Sequence, residues 1–383
     1  MTEMCDLAIT GGRVIDPARG VDELGTVAIT GGRLVPCVSE TQGVPEPASF
    51  AHRVIDASGL VVVPGLIDLH THVYWGVSHY GIDADTHCLQ RGVTTAVDVG
   101  SAGAQTFPGF RRYVIDRART RVLAFVHVAV EGMISPLVGE LEDVRWASAE
   151  QAVARAREHP DVVVGVKIRL GYQMAGQDPE PSFAVARRAA DELGLPLMVH
   201  VIDMPRPIAW LLPSMREGDI VTHCFHGSDG GGILDGNGRI LPDVIDARER
   251  GVVFDIGHGI GSFTWRVARA ALEQGFPPET ISSDVHAYNV DGPVYDQPTT
   301  LSKLLHLGMA LPDIVRATTV APAAAVRRAD ELGSLAPGRD ADVTVLELVR
   351  GARTLTDGEA KSETAAEWLE PRFVVRAGTA LEL

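Results

Sequence analysis

At 383 residues with 45% hydrophobic content, the chain is long and apolar enough for one large folded domain, or a smaller one with an appendage, which excludes disorder as its default state. Its 34 basic and 50 acidic residues leave a formal charge of −16, which repels nucleic acid and anionic membrane surfaces, so neither is expected as a partner. Four cysteines, Cys5, Cys37, Cys88 and Cys224, are widely spaced without a CxxC pair, which argues against a disulfide framework or a cysteine zinc site and for reduced, buried thiols. The start Met1-Thr2-Glu3-Met4-Cys5-Asp6 lacks the basic residues and apolar run of a secretion signal. No segment approaches the roughly 18 apolar residues of a membrane span, so a cytoplasmic location is expected.

The first sixty residues hold short β-type runs, such as Leu7-Ala8-Ile9-Thr10 and Val27-Ala28-Ile29-Thr30, punctuated by Gly11-Gly12 and Gly31-Gly32. Near the other end, Ala341-Asp342-Val343-Thr344-Val345-Leu346 and Arg372-Phe373-Val374-Val375 have the same character. The two termini are therefore predicted to meet in one small β-sandwich, made of residues 1–63 and 329–383. Between them, residues 64–328 alternate short apolar runs with amphipathic stretches rich in Ala, Arg and Glu, the signature of repeated βα units. Eight runs are predicted strands, at 66–72, 93–100, 122–130, 162–169, 196–201, 219–224, 252–257 and 280–285. That number and length suit a closed (β/α)₈ barrel of the TIM type in an α/β chain. The stretches 227–238 and 292–298 are predicted loops on the active-site side.

Run one carries Pro64-Gly65-Leu66-Ile67-Asp68-Leu69-His70-Thr71-His72. Histidines two apart on a strand project to one face and can hold a metal at the strand's carboxyl end, although polar residues gather at any strand end. Run four ends in Gly165-Val166-Lys167-Ile168-Arg169, and an unpaired ammonium in so apolar a strand is costly to bury. Either Lys167 pairs with a carboxylate or reaches the rim, or it is an amine that has captured CO₂. The resulting carbamate would bridge two cations about 3.5–4 Å apart. Runs five and six end at His200 and His223. Run eight holds Ser282-Ser283-Asp284-Val285-His286, where Asp284 is either a helix cap or a metal ligand and proton acceptor. Alone, each residue has an ordinary structural reading, but their succession along strands one, four, five, six and eight points to a metal site.

In these residues the chain resembles the amidohydrolase superfamily of metal-dependent hydrolases, from PGLIDLHTH through to the return at Pro337-Gly338-Arg339-Asp340-Ala341-Asp342-Val343. The stretches Arg91-Gly92-Val93-Thr94-Thr95, Val221-Thr222-His223-Cys224-Phe225 and Asp255-Ile256-Gly257-His258-Gly259 look like its amidohydrolase/deacetylase branch, often labelled dihydroorotase-like. The resemblance implies a binuclear zinc centre, in which other divalent metals can substitute, bridged by a CO₂-derived carbamate on Lys167. His70, His72 and Asp284 would hold one metal and His200 and His223 the other. It also implies attack of a metal-bridging hydroxide on an ester or amide carbonyl, with Asp284 relaying the proton. The substrate would be a small acylated molecule, such as an N-acetyl amine or O-acetyl hydroxy acid. Dihydroorotase has an arginine two residues beyond its HxH where this chain has Tyr74, which argues against pyrimidine chemistry. Ring opening of a cyclic amide or imide is the alternative activity, and a non-catalytic scaffold the alternative class.

Substrate contacts are assigned to Arg169, His258, His286 and Tyr74. Arg169 follows Lys167 on the same face and can meet an anionic group or form a rim ion pair. His258, between two glycines, can hold substrate or structure its loop. Trp75 and His79 are further candidates for the wall, and His127 reads as a core histidine. Homo-oligomerisation is compatible with such a barrel.

Overall fold

The computed structural model describes residues 4–36 and 51–383; Cys37 lies outside the described residues. The N-terminal runs form β1 (Cys5–Asp16), β2 (Val21–Thr30) and β3 (Arg33–Val35), paired antiparallel in that order. The register of β1 slips between Ile9 and Gly12, so one half pairs parallel with β4 (Ala51–Asp56) and the other with β5 (Val61–Pro64).

The chain then enters a parallel sheet whose strands adjoin in sequence order. They are β6 (Leu66–Thr71), β7 (Val93–Gly103), β8 (Arg121–His127), β9 (Val163–Arg169), β10 (Leu197–His200), β11 (Ile220–Thr222) and β12 (Val253–Asp255). Buried Ile67, Leu69, Val97, Phe125, Met198 and Ile220, from strands all round this sheet, make one cluster with Ala323 and Leu332 that fills the barrel. Helices alternate with the strands for reasons visible in their residues. In Ala149–Glu158, Ser148 caps the N-terminus by accepting from Gln151 N, and Ala149, Ala152, Val153 and Ala156 form the buried stripe.

The eighth predicted strand closes the barrel without a continuous ladder. Thr280 bridges Asp255 and Val285 bridges Thr71, both in parallel sense. Ile256 N donates to Thr280 O (3.1 Å) and Asp284 N to His70 O (2.7 Å). Side chains supply what the ladder lacks: Asp68 on β6 accepts from Ser283 N (2.8 Å) and from the Ser283 hydroxyl. The fold is a (β/α)₈ barrel.

The C-terminal β13 (Val343–Thr356), β14 (Ser362–Arg376) and β15 (Thr379–Glu382) complete an eight-stranded sheet with β1–β5, with β13 beside β5. Leu7, Ile9, Val27, Ile55, Val62, Val343, Val345 and Val375 share its core. The far half of the β13–β14 hairpin lies on the barrel instead, where Leu355, Ala365 and Leu369 join the barrel's main core and Leu369 N donates to Ser302 Oγ (2.9 Å).

The stretch 227–238 is irregular as expected. The stretch 292–298 is a loop only as far as Asp296, because Asp296 caps the helix Gln297–His306 by accepting from Thr299 N, and Pro298 is tolerated in that first turn. Among the described residues no helix is long and apolar enough to cross a membrane, and Cys5, Cys88 and Cys224 are buried free thiols.

Because Asp68 holds strand eight through both a backbone N–H and a hydroxyl, Asp68→Ala leaves two buried donors unsatisfied. Urea unfolding is expected to show a loss of about 2–4 kcal/mol; a change below about 0.5 kcal/mol would mean that the backbone bridges alone close the barrel.

Candidate active site

The strand ends converge on a cavity of about 350 Å³ whose floor includes His70, His72, Lys167, His200, His223 and Asp284. Ring centroids of His70 lie 5.5 Å from His72 and 4.9 Å from His223, and His200 lies 4.4 Å from His223. Ligand atoms of His70, His223 and Asp284 all fall within 4.8 Å of one another, a spacing that one cation can span.

The hydrogen bonds behind the rings set which nitrogen faces the cavity. Thr222 spends its single hydroxyl proton on Asp255 Oδ2 (2.8 Å), so at 2.8 Å it must accept from His70 Nδ1–H. His223 Nδ1 lies 2.7 Å from Gly257 O, which can only accept. His72 Nδ1 is engaged by Ser101 Oγ at 2.9 Å. Both His70 and His223 thus present an Nε2 lone pair. Burial first, and the charge of Lys167 next, holds His70, His72 and His223 well below the usual imidazole range. Burial and the neighbouring His223 do the same for His200. All four rings are therefore neutral and able to ligate.

Backbone geometry shows the same pressure. His223 (φ 71°) and Asp284 (φ 50°) are both in the left-handed region, a strained choice for residues with side chains. Gly257 and Gly259 let their loop close on them: a Cβ at Gly257 would lie 2.8 Å from His223 Nδ1, and one at Gly259 would lie 2.5 Å from Asp284 Oδ2.

Two atoms at the centre lack partners among the described residues. Lys167 Nζ and Asp284 Oδ1 are buried and make no hydrogen bond. Asp284 Oδ1 stands 3.4 Å from His70 Nε2 and 3.2 Å from His72 Nε2, so it faces the lone pair of at least His70. An arrangement of acceptor against acceptor in a buried site is unfavourable unless a cation lies between them. The donor set, neutral imidazoles and a carboxylate, is that of a divalent transition metal such as zinc. These residues fit a metal centre.

The sequence matches the Amidohydrolase family over residues 61–380. The chain belongs to this family. It is 35% identical over 332 residues to a deacetylase of Agrobacterium fabrum, covering 85% of this chain and 80% of that one. It is 34% identical over 322 residues to a deacetylase of Enterococcus faecalis, covering 84% and 86%. Among solved structures it resembles one described as an adenine deaminase, with a TM-score of 0.89, 31% identity and coverage of 99% and 100%. It resembles one described as a dihydroorotase with a TM-score of 0.88, 31% identity and coverage of 98% and 99%. This amidohydrolase is accordingly a hydrolase, from a family that generally uses divalent metals.

Of the predicted substrate contacts, Arg169 and His286 line the amidohydrolase cavity. Tyr74 and His258 do not, which corrects their assignment. β6 ends at Thr71, and the turn that follows buries Tyr74 against Phe110 (centroids 4.7 Å apart), its hydroxyl donating to Thr106 O (3.0 Å). His258 is also buried, stacked on Phe263, with Nε2 2.6 Å from Lys303 Nζ. Lys303 also donates to Pro293 O (2.9 Å) and Thr356 O (2.7 Å). Burial draws Lys303 down to about 7, yet three acceptors match an ammonium's three donors one for one. His258 therefore structures its loop. Trp75 is largely exposed, His79 contacts the Tyr288 hydroxyl (3.1 Å), and His127 is a buried neighbour of Glu140.

Sequence reasoning missed Glu140, Tyr80, Tyr288 and Asp255. Glu140 is buried and takes Arg169 Nε (2.6 Å) and Nη2 (2.7 Å) on its two oxygens. Asp255 accepts from Thr222, Thr280 and Ser282, joining strands six to eight behind His70; its place in the Asp255–Gly259 motif was the available signal. Burial alone would raise the Glu140 carboxyl, but the charge and hydrogen bonds of Arg169, with those of His127, hold it below the ordinary carboxylate range.

Glu140→Gln leaves the Arg169 charge buried and unpaired, so urea unfolding at neutral pH is expected to show a loss of about 3–5 kcal/mol. A depressed carboxylate pKa stabilises fully above the unfolded value, about 4.3, and less as pH falls below it. The gap between wild type and variant should therefore narrow below about pH 4; a gap independent of pH would exclude the charge pair as its source.

Proposed function

We propose that this amidohydrolase hydrolyses an ester or amide bond of a small acylated molecule, an acetyl group foremost, at two zinc ions bridged by a carbamate on Lys167. The observation that carries this reading is the buried Lys167 amine, without a hydrogen-bond partner among the described residues, with Asp284 and the histidines of strands one, five and six around it. Burial draws Lys167 down to about 7, so a neutral amine is populated at neutral pH. That amine adds to CO₂, forming an N–C bond and releasing a proton, and the product turns a group with no acceptor into a ligand with two oxygens. His70, His72 and Asp284 would hold one cation and His200 and His223 the other.

Divalent cations there supply positive charge that acidifies water and polarises the acyl carbonyl. Asp284 takes the proton that the attacking water loses and returns it to the departing nitrogen or oxygen, so water is consumed and an acid and an amine or alcohol are released. Held by the backbone of strand eight, the Asp284 carboxylate stays in one place while it exchanges that proton. A cavity of about 350 Å³ favours a small-molecule substrate. The deacetylase names of relatives aligned over most of the chain favour acyl transfer to water. Curated dihydroorotases align over less of it, 18% for Geobacter species and 52% for an Anaeromyxobacter species, and although the dihydroorotase structure shares the whole fold, Tyr74 stands where dihydroorotase would need its arginine.

Metal analysis of zinc-loaded protein should find about two ions per chain. Lys167→Ala should lower the metal content as well as hydrolysis of acetylated amines and esters. Asp284→Asn should lower kcat/KM by about 10²–10⁴. Burial pushes Asp284 up to about 6, and adjacent cations favour its charged form, so activity should fall as pH drops through or below about 6, where the base becomes protonated. Protein that stays metal-free after zinc loading would contradict the proposal.

A further inference from the structure

The loop after β12 supports the metal site from behind, yet two of its three central residues have no side chain to fix them. The Gly257 carbonyl accepts from His223 Nδ1 (2.7 Å), and Gly259 packs against Asp284. Both glycines are left-handed, with φ of 47° and 50°. Glycine enters that region about as readily as the ordinary one, so local preference does not decide where the Gly257 carbonyl points. Bonds from Gly257 N to Ser282 Oγ (3.0 Å), His258 N to Ser282 O (3.2 Å) and Gly259 N to Ser283 O (3.0 Å) tie the loop to strand eight through its donors only. The His258 ring is the remaining anchor. Its Nδ1 donates to Gly259 O (2.8 Å), so Nε2 accepts from Lys303 Nζ (2.6 Å). Lys303 stands on the helix Gln297–His306, wholly buried, and its other two bonds reach Pro293 O in the loop after strand eight and Thr356 O at the end of β13. The hairpin turn beyond β13 fastens the far end of the same loop: Gly358 N donates to Phe263 O (2.8 Å), and Asp357 Oδ2 accepts from Trp265 N (3.0 Å).

We infer that Lys303 is a positioning residue of the metal centre: it fixes the His258 ring, the ring fixes the Gly257–Gly259 turn, and the turn keeps His223 Nε2 facing the cavity. The inference rests on the metal-centre reading above and adds to it a residue that touches no ligand. Burying a cation is costly unless acceptors surround it, and a methionine would fill the same space between helix and hairpin without that cost. An apolar side chain could not, however, bond three separate segments at one point. Lys303 does so with the loops after strands seven and eight and with the β13–β14 hairpin. Rotation of the Gly257 peptide would turn its carbonyl away from His223 Nδ1–H, releasing the ring to exchange tautomers and lowering its affinity for a cation. The hairpin belongs to the sheet built from the two ends of the chain, so that sheet sets the geometry of a cavity it does not line.

The test compares wild type with Lys303→Met, His258→Leu, His258→Gln and Ser302→Ala in two readouts. One is zinc affinity, by competition with a chromophoric chelator; the other is solvent exchange of the His223 Nδ1–H in nitrogen-15 spectra. Lys303→Met and His258→Leu should each weaken zinc binding about 10–100-fold and speed the exchange roughly tenfold or more. His258→Gln, whose amide oxygen accepts in place of the ring nitrogen, should stay close to wild type in both. Ser302→Ala removes the hydroxyl that joins the same helix to Leu369 N (2.9 Å) in β14 without touching His258, and should change neither. If Lys303→Met does not fold, the two His258 variants decide. Both readouts unchanged in Lys303→Met, or failing that in His258→Leu, would overturn the inference. Equal losses in Ser302→Ala would overturn it too, since the effect would then be a general loosening. If wild type takes up no zinc, the metal reading fails and the exchange measurement decides alone: faster exchange in Lys303→Met supports the positioning role, and equal exchange overturns it.

Discussion

A primary amine buried without a hydrogen-bond acceptor is among the costliest groups a folded chain can hold, and among the described residues Lys167, at the centre of the barrel, has none. Around it stand neutral imidazoles and an Asp284 oxygen that also lacks a partner. Among the described residues no hydrogen-bond donor meets the Asp284 oxygen that faces these rings, and the surroundings hold the groups in place. His70 is held from behind by Thr222 and Asp255, His72 by Ser101, and His223 by Gly257.

These supports explain features of the barrel that look irregular on their own. β11 ends at Thr222 because His223 turns into the left-handed region to face the cavity. Strand eight gives up its ladder because Asp284 does the same, and Asp68, Ser283 and the His70 carbonyl replace the lost pairing. Strain concentrated at a site and compensated by hydrogen bonds behind it is how a fold retains geometry that its local preferences oppose. At the cavity wall, the Glu140–Arg169 pair holds the Tyr80 hydroxyl, and the Tyr80 ring stacks on His72.

The parts of this arrangement that follow strand periodicity were legible in the sequence. The eight apolar runs gave the barrel, and His70, His72, Lys167, His200, His223 and Asp284 fall at run ends, where such barrels converge. Tyr74 lies outside the cavity lining because the strand stops at Thr71 and the next turn sends the ring toward Phe110. Of the two readings of His258, substrate contact or loop structure, its surroundings favour the second: its flanking glycines bring the loop backbone, not the ring, to the site, and the partner that fixes it, Lys303, lies 45 residues away. Glu140 and Tyr80 belong to loops without a period, and their roles arise only when Arg169 meets both. Contacts between distant loops leave no local pattern to read.

Anomalous diffraction at the zinc edge from crystals of the zinc-loaded protein tests the central claim most directly, since it locates the cations and displays the end of the Lys167 side chain together. Two anomalous peaks, one beside His70, His72 and Asp284 and one beside His200 and His223, with branched density continuing from Lys167 Nζ between them, are expected. A bare Lys167 ammonium turned onto Asp284, with no anomalous peak at the strand ends, would contradict the account.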